Sequence, residues 1–193
     1  MLEPVTLEGS VVRLEPLSLE HLEGLTRVGL APELWRWIPF AVTSRDEMRG
    51  YIETALEEQR AGQSLPFAVM DAKTGEAIGS TRYGNISEPN RRLEIGWTWY
   101  TPTRQRTPVN TEAKLLLLTH AFERLGMIRV EFKTDALNDK SRNALLRIGA
   151  MQEGIFRKHL ICQSGRIRDT VYFSILDTEW PEKKRWLEER LAG

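Results

Sequence analysis

The sequence predicts an α+β fold: a mixed, mostly antiparallel sheet of seven strands flanked by helices, in one domain spanning 1–193. Three observations carry that expectation. Residues 92–100, RLEIGWTWY, alternate in polarity and lead through a polar loop into a long amphipathic helix. Residues 128–134 alternate again directly after that helix, and two further strand pairs are joined by the turn-forming segments DAKTGE and QSG. Strand, helix and strand in succession imply a crossover, so strand 128–134 is expected to lie parallel to, or splayed from, strand 92–100.

Taken in order, residues 11–17 alternate well enough for a first strand, and Ser18 is placed to cap a helix reaching about residue 28. Residues 33–40, with LWRWIPF at their heart, are irregular and aromatic, and Trp35 and Trp37 are large enough to pack under a loop. Ser44 with Glu47 forms a capping box for a helix that Gly62 stops. Residues 65–70 and 77–83 are strands of a hairpin, and with 92–100 they make a meander.

In 92–100, simple alternation puts Leu93, Ile95, Trp97 and Trp99 on one face and Glu94, Gly96, Thr98 and Tyr100 on the other. One face is oily; the other carries a carboxylate. The next helix has Thr107 as N-cap, Pro108 at its first position, Leu115, Leu118, Phe122 and Leu125 at helical spacing, and Gly126 as terminator. Asn138 caps a short helix closed by Gly149, residues 151–161 and 167–176 form a last hairpin, and a charged helix runs over about 181–192.

Lysine plus arginine and aspartate plus glutamate balance at 27 each, so no global field favours nucleic acid or an anionic membrane surface. The N-terminal residues lack the basic and apolar regions of a signal peptide, and no apolar run approaches a membrane span. Cys162 is the only cysteine, which excludes an intramolecular disulfide and fits a reducing cytoplasm. The three histidines lie in separate elements without metal-ligand spacing, so no catalytic metal is expected.

A strand feeding a loop into a helix N-terminus exposes unpaired N–H groups and the positive end of the helix dipole, an arrangement suited to phosphate. The loop RQRTPVNT adds Arg104, Arg106, two threonine hydroxyls and the Asn110 amide. Taken by itself, the same segment reads more readily as a good helix start beside a solvated loop.

These segments, with TDALNDKSRNALLRIGAMQEG and GRIRDTVYFSILDTEW, resemble the GNAT superfamily of acyl-CoA N-acyltransferases over nearly the whole chain, and most of all its branch that acetylates ribosomal-protein N-termini. The resemblance implies acetyl-CoA as acyl donor and a primary amine as acceptor: a protein N-terminal α-amino group, or else a small amine, amino acid or antibiotic. It implies that the fourth and fifth strands splay around the donor's pantetheine arm. Trp99 and Tyr100 would line that gap, with Gln105, Arg106, Thr107, Pro108, Val109, Asn110 and Thr111 forming the phosphate loop and Asn138 contacting the donor.

In this loop the family has glycine and glycine or alanine where this chain has Pro108 and Asn110. Proline has no N–H to offer, and losing one charge-assisted hydrogen bond weakens binding by about one to two decades. A non-catalytic scaffold that kept the fold is the competing reading.

By the same resemblance Glu94 is the general base, with Glu131 and Asp135 as alternatives, and Ser141 assists the departing thiolate. Trp35, Trp37, His159 and Tyr172 are the expected acceptor-site residues. The apolar last hairpin is a candidate homodimer surface.

Overall fold

The computed structural model describes residues 2–192. Among them eight strands form one sheet, in the order β1-β2-β3-β4-β5-β6-β8-β7. The strands are β1 (Leu7–Glu8), β2 (Val12–Pro16), β3 (Leu65–Asp71), β4 (Ala77–Ser87), β5 (Arg92–Tyr100), β6 (Arg129–Asp135), β7 (Met151–Ile161) and β8 (Ile167–Leu176). The eighth is β1, whose two residues are too few to show alternation in sequence. Every neighbouring pair is antiparallel except β5 and β6.

The helices are α1 (Leu22–Gly29), α2 (Pro32–Trp35), α3 (Arg45–Arg60), α4 (Val109–Thr119), α5 (Asp139–Arg147) and α6 (Trp180–Ala192). The helix expected directly after Ser18 begins as a 3-10 turn, Leu19–His21, with the Ser18 N–H donating to His21 Nδ1. Ser44 caps α3 as expected, its hydroxyl accepting from the Glu47 N–H, while the Glu47 carboxylate reaches back to Thr43. Helix α4 starts one residue later than its proline suggests and ends in a π-helical turn, His120–Arg124, before Gly126 turns the chain at φ +63°.

Alternating residues of the strands feed two apolar clusters, one on each side of the sheet. Val12, Phe67, Leu93, Phe132 and Phe173 pack with Leu117 of α4 and Leu187 of α6. On the other side Ala68 and Trp99 pack with Leu25 of α1, Trp35 of α2 and Met48 and Ile52 of α3. No helix is long and apolar enough to cross a membrane among the described residues.

The simple alternation expected for β5 fails at its centre. Arg82 pairs with Gly96 and Ser80 with Trp99, so Thr81 alone faces Trp97 and Thr98, and Trp97 adopts φ +50°. This bulge shifts the pleat by one residue. Leu93 and Ile95 therefore share their cluster with Tyr100, while Trp99 turns to the opposite side.

Candidate active site

Strands β5 and β6 pair in parallel at only three positions, ending with Glu94 opposite Glu131. Beyond that point they part, and the side of β5 that faces β6 has no strand partner from Ile95 onward among the described residues. A cleft of about 1050 Å³ opens there, bounded by β5, β6, the start of α4, α5 and the segment after α2. Unpaired backbone along both diverging edges suits an extended chain carrying amides.

Glu94 lies at the point of divergence, lines the cleft and is buried. The Asn85 side-chain amide donates to its Oε2 at 2.5 Å, and Lys133 Nζ lies 2.8 Å from the same oxygen. Burial pulls the Lys133 pKa down, but the Glu94 charge and hydrogen bond outweigh it and hold the ammonium above its ordinary value. Glu131 is tied to Arg92 and Arg129 and does not line the cleft. Asp135 does line it, but is paired with Arg166 at 2.5 Å and accepts from the Leu137 N–H.

At one end of the cleft, Gln105, Arg106 and Asn110 reach its wall. Gln105 bridges two elements, donating to the Tyr100 carbonyl at 3.1 Å and accepting from Lys140 at 3.0 Å. Arg106 is exposed with φ +61°, whereas Arg104 is drawn to Asp71 at 2.6 Å. Thr107 donates to the Arg104 carbonyl and accepts weakly from Val109 N–H, so its hydroxyl is already engaged. Val109 points into the core, and Thr107, Pro108 and Thr111 are outside the cleft wall.

Asn138 and Ser141 line the cleft from the opposite side. The Asn138 carbonyl oxygen caps α5 by accepting from the Ser141 N–H at 3.1 Å. Its amide nitrogen makes no hydrogen bond among the described residues.

The expected acceptor residues separate. Trp35 is 3% exposed, donates its indole N–H to the Gly29 carbonyl and packs on Tyr51 and Trp99, so it is core rather than cleft wall. Trp37 lines the cleft between the guanidinium groups of Arg36 and Arg166. The Gln163 N–H donates to the Pro39 carbonyl and its side-chain oxygen accepts from Ala41 N–H, joining this segment to the β7–β8 turn. His159 reaches the cleft; Tyr172 lies outside it, under Lys133 and against Phe156.

Four buried polar atoms of cleft-lining residues have no hydrogen-bond partner among the described residues: Trp99 Nε1, the Tyr100 hydroxyl, Arg168 Nε, which lies 3.9 Å from Asp135, and the Thr170 hydroxyl. Burial also pushes the Tyr100 phenol up, keeping it a neutral hydrogen-bonding group, and pushes Arg168 down. With the basic rim of Arg106, Lys140 and Arg147 and the first-turn N–H groups of Asn110 and Thr111, the donor set fits a phosphate-bearing ligand with an amide-rich arm.

Lys114 was not singled out by sequence reasoning. It occupies the sheet-facing side of α4, between Val109 and Ala113 before it and Leu117 and Leu118 after it, is 5% exposed and lines the cleft. Its Nζ donates to Thr98 Oγ1 at 3.2 Å and lies 5.6 Å from the Phe132 ring centre. Burial lowers its pKa to about 7 against a smaller upward pull from Glu94. A lone lysine among leucines and alanine on the packed face of an amphipathic helix was the signal that could have found it.

Among the described residues no group of three or more His, Cys, Asp or Glu side chains is placed to hold a metal. Residues 12–151 match the family of GNAT acetyltransferase domains. YdaF of Bacillus subtilis (strain 168), provisionally named a ribosomal N-acetyltransferase, is 32% identical over 89% of this chain and 92% of its own. A GCN5-related N-acetyltransferase from Brucella melitensis superposes with a TM-score of 0.90 at 33% identity, covering 97% of this chain and 86% of its own. Mycobacterium smegmatis RimJ, solved in complex with CoA-disulfide, shares the fold at a TM-score of 0.82 and 24% identity, over 98% of this chain and 93% of its own.

Proposed function

The chain belongs to the GNAT acetyltransferase family, and from that premise we propose that it moves an acetyl group from acetyl-CoA to a protein N-terminal α-amino group of the ribosomal-protein kind. The observation that carries this reading is the parting of β5 and β6 beyond Glu94, which opens a cleft along their unpaired edges. Acetyl-CoA supplies the activated acyl thioester. The likeness to YdaF supports the acceptor class.

In this reading the backbone of Trp99 and Tyr100 and the Asn138 amide hold the donor's arm, while Gln105, Arg106, Asn110 and the first turn of α4 receive its phosphates. Pro108 leaves that turn one N–H short of the family pattern, and the exposed Arg106 offsets the loss. Val109 contributes only through its backbone. Trp37 and His159 flank the acceptor's approach.

Glu94 takes a proton from the attacking amine, directly or through water, because only the neutral amine is a nucleophile. Asn85 and Lys133 fix the carboxylate's orientation. Ser141 faces the same cleft and is a hydrogen-bond donor to the reacting centre. The whole chain, 1–193, acts as one domain in the cytoplasm, where the lone thiol of Cys162 is stable.

We further propose that two copies associate through β7, an edge strand of 11 residues. Ile161 is 78% exposed and Met151 60%, and an open apolar edge is a template for a second strand.

The test of the activity is thiol release from acetyl-CoA with a panel of short peptides, free at the N-terminus or blocked, and of small amines. Release with free N-termini and not with blocked ones supports the reading. Release only with small amines moves the acceptor to that class, and no release with either overturns it.

A further inference from the structure

Lys114 stands in the wedge between the diverging strands. Its Nζ is 3.2 Å from Thr98 on β5 and 5.6 Å from the ring centre of Phe132 on β6. Both lie past the last paired position, Glu94 opposite Glu131. The group therefore occupies the interval that strand pairing would otherwise close. Burying a lysine there costs free energy unless something in the cleft uses it.

No carboxylate lies within ion-pair distance of Lys114 among the described residues. Glu94, the nearest acidic influence from β5, is bonded to Lys133 of β6 and Asn85 of β4. Thr98 accepts one of the three ammonium protons and its hydroxyl is itself 2.7 Å from Thr81. The remaining two N–H groups have no acceptor among the described residues and belong to a cleft-lining residue. An unpaired cation at this position awaits an anion formed inside the cleft.

We propose that Lys114 is the catalytic residue that receives the departing sulfur, donating its proton to the coenzyme A thiolate as the acyl carbon–sulfur bond breaks. This rests on the acetyl-CoA reading above and goes beyond it. The amine nitrogen bonds to the thioester carbon, and the carbon–sulfur electron pair leaves on sulfur. That sulfur takes the Nζ proton, the nitrogen loses its own to Glu94 or water, and solvent reprotonates Lys114.

The charge states agree with this role. A buried amine whose pKa falls to about 7 is a stronger acid than an ordinary thiol of about 8.5, so the transfer runs downhill. A serine hydroxyl such as that of Ser141 is a far weaker acid.

The test needs no acceptor. Coenzyme A and desulfo-coenzyme A are titrated calorimetrically near neutral pH against the wild type, Lys114→Met and Ser141→Ala. The wild type binds coenzyme A about three- to tenfold more tightly than the desulfo analogue, because the neutral amine and the thiol share a hydrogen bond. Lys114→Met abolishes the preference while keeping its affinity for the desulfo analogue. That retained affinity shows the cleft is intact. Preference that survives in Lys114→Met, is missing in the wild type, or vanishes instead in Ser141→Ala overturns the assignment. Failure of both ligands to bind a folded wild type overturns the cofactor reading itself.

Discussion

Lys133 Nζ sits 2.8 Å from Glu94 Oε2 across the first unpaired stretch between β5 and β6. The pair joins the two strands where their backbone hydrogen bonds end, and it fixes a buried cleft carboxylate through a lysine rather than an arginine. Asp135, a second buried carboxylate on the cleft wall, is held by Arg166.

That contrast directs the first prediction. Glu94→Gln keeps the hydrogen-bonding shape but removes the base. Turnover near neutral pH is expected to fall by about a hundredfold or more, with acetyl-CoA affinity unchanged. Steady-state kinetics beside a binding titration check it, and unchanged turnover removes Glu94 from the role.

Lys114 makes stability depend on pH in a defined direction. Its native pKa of about 7 lies below that of an unfolded lysine near 10.5, so between those values the unfolded chain binds the extra proton. Stability from this group therefore rises with pH across that interval, by up to about 1.4 kcal/mol per pH unit. Lys133 acts oppositely: its raised pKa contributes stability that is present below 10.5 and lost only as pH rises through its higher native value. Urea unfolding at pH 7, 8 and 9 is expected to show a rising contribution in the wild type that Lys114→Met lacks. Parallel curves for the two proteins contradict it.

Glu112 fastens the helix that borders the cleft to the first strands. Its carboxylate accepts from the backbone N–H groups of Ser10, Val11 and Val12 at 2.9, 2.7 and 2.7 Å, and from the Ser10 hydroxyl. Glu112→Ala strands these donors and is expected to cost about 3 kcal/mol or more. Glu112→Gln should lose less, because its carbonyl oxygen still accepts. Denaturant midpoints rank the three proteins; an unchanged midpoint in Glu112→Ala refutes the clamp.

The exposed edge strand predicts a mass. Sedimentation equilibrium is expected to return two chains for the wild type and one for a variant carrying Ile161→Lys, since a charge on an apolar pairing edge opposes association. A single-chain mass for the wild type across concentrations rules out the dimer.

Much of the fold was legible because it is written in local chemistry. The caps at Ser44 and Asn138, the Gly126 terminator and the strand–helix–strand crossover all follow from short-range rules, and the structure has them where expected. The bulge at Trp97 was not legible: RLEIGWTWY alternates cleanly, and only pairing with β4 reveals that one residue there faces two. Trp35 and Trp37 are equivalent in sequence, yet long-range packing puts one in the core and the other on the cleft wall. The two unlike roles of Glu112 and Lys114, two residues apart on one helix, likewise depend on partners far along the chain.

The most direct measurement is a calorimetric titration of the purified protein with acetyl-CoA, using ADP as the comparison ligand. A saturable single site with an affinity on the order of micromolar, and weaker binding of ADP, is the predicted result, since ADP offers phosphates to the start of α4 but nothing to the gap between β5 and β6. No binding of acetyl-CoA by a folded sample contradicts it.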